Sequence, residues 1–141
     1  MNPTRVVLDT NIVISALLFR GEVSRLHMLW KKKAFAIVAS REIVDEYVRV
    51  LAYPKFDLTE NEIEAIVREE LLPFIQPVSA AGKSSRASAD PDDNKFLACA
   101  EAAKADFIVS GDAHLLKLKQ HNRCPIITAE RFLKILQHPS G

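Results

Sequence analysis

The sequence predicts an α/β fold, a parallel sheet of short strands covered by helices on both faces. Three observations carry this. Apolar runs of three to five residues alternate along the whole chain with segments of helical period. Runs such as Val6-Val7-Leu8 and Phe107-Ile108-Val109 are apolar throughout rather than alternating, as strands buried on both faces are. Both runs lead directly into polar, acid-bearing segments, Asp9-Thr10-Asn11 and Ser110-Gly111-Asp112.

The elements follow in order. Val6 to Leu8 is the first strand, and Ile12 to Phe19 an apolar helix closed by Arg20-Gly21. Glu22 to Lys33 reads as a second helix, with Val23, Leu26, Leu29 and Trp30 on one face and three lysines at the end that favours cations. Phe35 to Ala39 is a strand, and Ser40 is a good N-cap for a helix reaching Leu51, broken at Tyr53-Pro54. Thr59 and Glu62 form a capping-box pattern for a helix to about Leu72, before Pro73. Phe74 to Val78 is a short third strand. Ser79 to Ala89 is rich in Ser, Ala and Gly and reads as a flexible loop within one domain, residues 1–141. Asp90 reads as an N-cap, with Pro91 opening a helix through Ala103. Phe107 to Val109 is a strand, His114 to Lys119 a short helix and Pro125 to Ile127 the last strand; Thr128 caps a final helix to Leu136.

Composition narrows the function classes. The 141 residues are 48 % hydrophobic and 26 % charged, with a formal net charge of +1. That balance excludes a strongly basic nucleic-acid coat and a disordered acidic tail, but not a nucleic-acid enzyme with a local site. Cys99 and Cys124, the two cysteines, lack metal-site spacing and read as packing residues. The four histidines share no ligand spacing, and four glycines leave no Gly-rich phosphate loop. No signal peptide or membrane-length apolar run is evident, so a cytoplasmic location is expected.

Acids are the chemistry-bearing residues. In open parallel sheets ligands sit beyond the C-terminal strand ends, where Asp9 and Asp112 both fall. At about 100° per residue, Ile43, Val44, Tyr47, Val48, Val50 and Leu51 share one face, with Glu42, Asp45 and Arg49 opposite. Glu46 lies on the flank, either a solvated charge or the rim of a cleft. Asp90, Asp92 and Asp93 all suit a helix N-terminus. Asp93 alone lies near Ala100 on the wheel, toward the inward face of Phe96, Leu97, Cys99, Ala100 and Ala103. None of Asp9, Glu46, Asp93 and Asp112 has an obvious basic partner beside it in the sequence. Converging carboxylates repel and raise one another's pKa unless a cation neutralises them. Oxygen ligands favour Mg²⁺ or Mn²⁺, and two-metal phosphodiester hydrolysis uses such a site.

The chain resembles a known family at several ordered pieces: Val6-Val7-Leu8-Asp9-Thr10-Asn11; Glu46 ahead of Val50-Leu51; Asp90-Pro91-Asp92-Asp93-Asn94-Lys95-Phe96-Leu97 followed by Ala100; and Asp106-Phe107-Ile108-Val109-Ser110-Gly111-Asp112 with Leu115-Leu116. These look like a PIN-domain protein of the small prokaryotic kind that serves as the toxin of a toxin–antitoxin pair. The resemblance implies a three-layer α/β/α sandwich with a central parallel sheet and a Mg²⁺- or Mn²⁺-dependent ribonuclease. It assigns metal binding to Asp9, Glu46, Asp93 and Asp112, and accessory positions to Thr10, Asn11 and Ser110. RNA, a small antitoxin protein and a second copy of the chain are the expected partners. Lys83 and Arg86 are candidate RNA contacts, because their loop leads into the Asp93 helix; the alternative is solvated charge. A catalytically silent RNA- or protein-binding module on the same fold is the competing function. A phosphatase is disfavoured, because Asn11 stands where an Asp-x-Asp pair would put its second acid.

Overall fold

The computed structural model describes residues 3–80 and 91–137. Six strands form one sheet: β1 (Arg5–Leu8), β2 (Ala36–Ala39), β3 (Ile75–Pro77), β4 (Phe107–Val109), β5 (Gln120–His121) and β6 (Cys124–Ile127), in the order β3-β2-β1-β4-β6-β5. Seven α-helices lie among the described residues: α1 (Thr10–Leu18), α2 (Arg25–Lys31), α3 (Arg41–Leu51), α4 (Glu60–Ala65), α5 (Asn94–Ala103), α6 (Ala113–Leu118) and α7 (Ala129–Gln137). They complete the expected three-layer α/β/α sandwich.

The order reverses at the middle. From β1 the chain builds outward to β2 and β3, then returns to lay β4 and β6 on the other side. β1 and β4 pair in parallel, Val6 with Phe107 and Leu8 with Val109, so their C-terminal ends lie side by side. This reversal creates a crevice between β1 and β4, the place where open sheets bind ligands.

The central strands carry the core. Val6, Val7, Leu8, Ile37, Val38, Ile108 and Val109 are fully buried, as expected for runs covered on both faces. Trp30, Phe35, Tyr47, Phe96 and Phe132 pack over them, with Phe132 edge-on to Phe35 at 5.0 Å between ring centroids.

Several elements differ from their expected bounds. α1 starts two residues early, because the Asp9 carbonyl already accepts from the Ile12 and Val13 N–H groups at 3.0 and 3.2 Å. The second helix is interrupted: Glu22–Ser24 forms a 3-10 turn before α2, and Lys33 takes φ 63° just beyond it. The Thr59 capping box forms in full. Beyond α4, however, the helix widens into a π segment, Ile66–Leu71, whose Glu70 carbonyl accepts from Trp30 Nε1 at 2.9 Å. Pro91–Asp93 is a 3-10 turn, and Asp93 occupies the N-cap position of α5. β5 was not expected. It pairs antiparallel with β6, so the sheet is parallel only up to that edge, and two left-handed residues, Asn122 and Arg123, make its tight return. The flexible-loop reading of 79–89 falls largely, and Lys83, Arg86 and Asp90 fall wholly, outside the described residues.

A candidate acidic active-site cleft

The cleft forms where the chain leaves the central strands. Asp9 follows β1 and is only 7 % exposed. It occupies the N-cap position of α1, yet its side chain does not cap the helix. One carboxylate oxygen instead accepts from Ser110 Oγ at 2.6 Å, across the β1–β4 junction. Ser110 is fully buried, and its hydroxyl also accepts from the Asp112 N–H at 2.9 Å. One serine therefore orients both strand-end acids. Asp112 in turn caps α6, accepting from the His114 N–H at 2.7 Å.

The remaining two acids come from helices. Tyr47 is fully buried and donates to the Leu8 carbonyl at 2.5 Å, which locks α3 against β1 one residue before Asp9. That contact sets Glu46 on the half-buried flank of α3, where Thr10 Oγ1 donates to its carboxylate. Asp93 is 4 % exposed while neighbouring Asp92 is exposed, which agrees with the inward placement on the helical wheel. Asp9, Glu46, Asp93 and Asp112 all line one cleft of about 230 Å³, together with Asn11 and Lys95.

Electrostatics link Asp9 to Asp112 and Glu46. The Asp9 carboxyl is pushed above its ordinary range, first by burial. The Ser110 hydroxyl and the Thr10 N–H pull it back down, while the charges of Asp112 and Glu46 push it up again. The repulsion expected from the sequence is present at Asp9, but desolvation outweighs it. A carboxyl whose pKa is raised in the folded state holds its proton more tightly there than in the unfolded chain. Its cost to stability is therefore absent below both values and full above the raised one. Asp9→Asn should accordingly raise the melting temperature of chelator-treated protein more at about pH 8 than at about pH 4. Equal shifts in thermal melts at the two pH values would contradict this.

One expectation is corrected. Glu46 does have basic partners: Lys95 Nζ lies 2.7 Å from Oε1, and Arg49 Nη2 lies 3.6 Å from the same oxygen. Arg49 was visible at i+3 in the sequence, whereas Lys95 reaches over from α5 and carries no local mark. With these donors in place, the described residues hold no group of three or more His, Cys, Asp or Glu positioned to grip a metal ion. The oxygen-only chemistry of the acids, and the charges of Asp112 and Glu46 felt at Asp9, nonetheless suit a hard divalent ion. Sequence reasoning also missed Lys55 and Phe56, which line the cleft from the turn after α3. The thiols are inert here: burial pushes Cys99 up to about 11 and Cys124 up to about 12.

Comparison with known proteins agrees with the fold. The PIN domain family profile matches residues 5–114. The fold is similar to VapBC2 from Rickettsia felis, solved bound to a DNA fragment from their promoter: TM-score 0.59 at 13 % identity, over 89 % of this chain and 98 % of that one. It is also similar to PAE2754 from Pyrobaculum aerophilum: TM-score 0.53 at 15 % identity, over 96 % of this chain and 90 % of that one. No curated protein matches the sequence.

Proposed function

The chain belongs to the PIN domain family, and from that membership we propose that it is a ribonuclease acting with Mg²⁺ or Mn²⁺ at the acidic cleft, the toxin of a toxin–antitoxin pair. PIN domains are in general nucleases, and residues 1–141 are taken as one such domain. The observation that carries the reading is the convergence of Asp9, Glu46, Asp93 and Asp112, from two strand ends and two helices, on one cleft at the β1–β4 crevice.

In this reading those four carboxylates hold the ion. A bound divalent ion supplies charge stabilisation at a phosphodiester and activates water. The chain supplies orientation: Ser110 fixes Asp9 and the backbone of Asp112, and Thr10 fixes Glu46. Asn11 lines the cleft and is proposed, with Thr10 and Ser110, as an accessory residue that orients the carboxylates. Lys83 and Arg86 are retained as RNA contacts. The cytoplasm is the proposed site of action; among the described residues no helix is long and apolar enough to cross a membrane.

The test is cleavage of RNA by purified protein, with a chelator, Mg²⁺ or Mn²⁺, in wild type and acid variants. Cleavage that persists in chelator would overturn the metal-dependent reading. The competing reading, a catalytically silent binding module, draws on the Lys95–Glu46 pair, which partly neutralises the cleft without metal. RNA binding with no cleavage at any metal concentration would favour it.

The fold likeness to VapBC2 supports an antitoxin partner, and a homodimer is part of the same proposal. Phe19 and Met28, at the end of α1 and in α2, are 54 % and 52 % exposed, and such large apolar side chains suit an interface. Light scattering at tens of micromolar should give twice the 15.8 kDa chain mass. A monomeric mass would count against the dimer.

A further inference from the structure

Lys95 is a charged side chain only 9 % exposed, set inside a cleft otherwise dominated by acids. Its Nζ lies 2.7 Å from Glu46 Oε1 and donates to the Asp92 carbonyl, also at 2.7 Å. Thr10 donates to the other Glu46 oxygen, so both carboxylate oxygens are engaged by the chain itself. Arg49 approaches Oε1 at 3.6 Å but is mostly exposed, which makes it a weak partner. Lys95 is thus the close, desolvated cation of the pair.

Two recesses meet at this ion pair. On one side is the cleft with Asp9, Asp93 and Asp112. On the other, Glu42, Asp45 and Arg49 of α3 join Asp92 in lining a second recess of about 270 Å³, and both Glu46 and Lys95 border it. The lysine stem is flexible and its charge compact, so Nζ can pass from Glu46 toward Glu42 and Asp45 without leaving acidic surroundings.

We propose that Lys95 is a tethered counter-ion that holds Glu46 in the metal-free protein, and that a divalent ion must displace it toward the Glu42–Asp45 recess to claim that carboxylate. The inference rests on the metal-binding reading of the cleft and adds a regulator to it. An ammonium and a divalent cation on one carboxylate repel each other, so occupancy by one weakens the other. Lys95 is in this sense a positioning residue. It keeps the acids compatible with a folded, metal-free protein and sets how much metal is needed to load them.

The experiment measures Mn²⁺ binding by calorimetry on wild type, Lys95→Met and Lys95→Gln, each confirmed folded by circular dichroism. Both variants should bind Mn²⁺ about tenfold more tightly than wild type, a typical coupling between neighbouring charges. A second measurement needs no variant: reductive methylation of wild type, followed residue by residue by mass spectrometry. Lys95 should be protected in chelator and several-fold more reactive with Mn²⁺. Unchanged or weaker affinity in the variants, with wild type binding Mn²⁺, would overturn the counter-ion role and leave the metal site standing. An unchanged Lys95 labelling rate at saturating Mn²⁺ would do the same. Absence of Mn²⁺ binding in all three proteins would overturn the metal reading and the inference together. Binding by the variants alone would support the inference in its strongest form.

Discussion

On the proposed function, Asp9→Asn should reduce metal-dependent RNA cleavage by about 100-fold or more while leaving the protein folded, since a bound ion would supply both water activation and charge stabilisation. Glu46→Gln, Asp93→Asn and Asp112→Asn should have comparable effects. Each replacement keeps side-chain volume, and an amide oxygen can still accept the hydrogen bond that Ser110 gives Asp9 or that His114 N–H gives Asp112. What is lost is charge at the cleft. Asp92 is exposed, so Asp92→Asn should cost far less. An inactive Asp92→Asn beside an active Asp93→Asn would reverse the assignment within that pair. Relief of the buried charge means that Asp9→Asn should be more stable than wild type at neutral pH, even as it loses activity. Such opposition is common where function requires crowded charge.

Trp30→Ala should destabilise the protein by about 3–5 kcal/mol, the cost of deleting a large fully buried side chain. Trp30 has no exposed surface and lies beside His27, ring centroids 5.1 Å apart and tilted at 49°. Its Nε1–H satisfies the Glu70 carbonyl in the π segment, and the deletion leaves that carbonyl without its donor. For a chain of this size the melting temperature should fall by roughly 10–20 °C. Thermal melts by circular dichroism measure it. Trp30→Phe, which keeps most of the volume, should cost about half as much or less. If both variants melted like wild type, the packing of α2 on the π segment would not contribute to stability.

The parts legible in the sequence were those governed by local rules. The Thr59–Glu62 capping box, the Ser40 cap and the fully apolar runs at Val6 and Phe107 each declare themselves within a few residues, and the structure shows each as an element. The two-residue β5 does not, because its pairing rests on a tight turn through left-handed Asn122 and Arg123 that no glycine advertises. Likewise, helical periodicity runs smoothly through Ile66–Leu71, but the backbone widens there to meet Trp30, a tertiary demand. The cleft divides the same way. Asp9 and Asp112 follow from strand ends, and Asp93 from its wheel position. Lys95 and Tyr47 act across elements, one from α5 to α3 and the other from α3 to β1, so their partners lie far away in sequence.

The bond from Ser110 to Asp9 joins residues 101 positions apart, and the strands flanking it are neighbours at the centre of the sheet. Synthesis runs from the N-terminus, so β1, β2 and β3 emerge long before β4 exists to complete the crevice. Until β4 docks, Asp9 has neither its orienting serine nor Asp112 across from it. Contacts of such long separation form late and slowly, because chain closure must precede their reward. On the proposed function, nascent and prematurely terminated chains ending before Ser110 should therefore be inert, whatever acids they already carry. Competence then waits for β4 to emerge and dock, which leaves an interval in which a partner can meet the chain before it is competent.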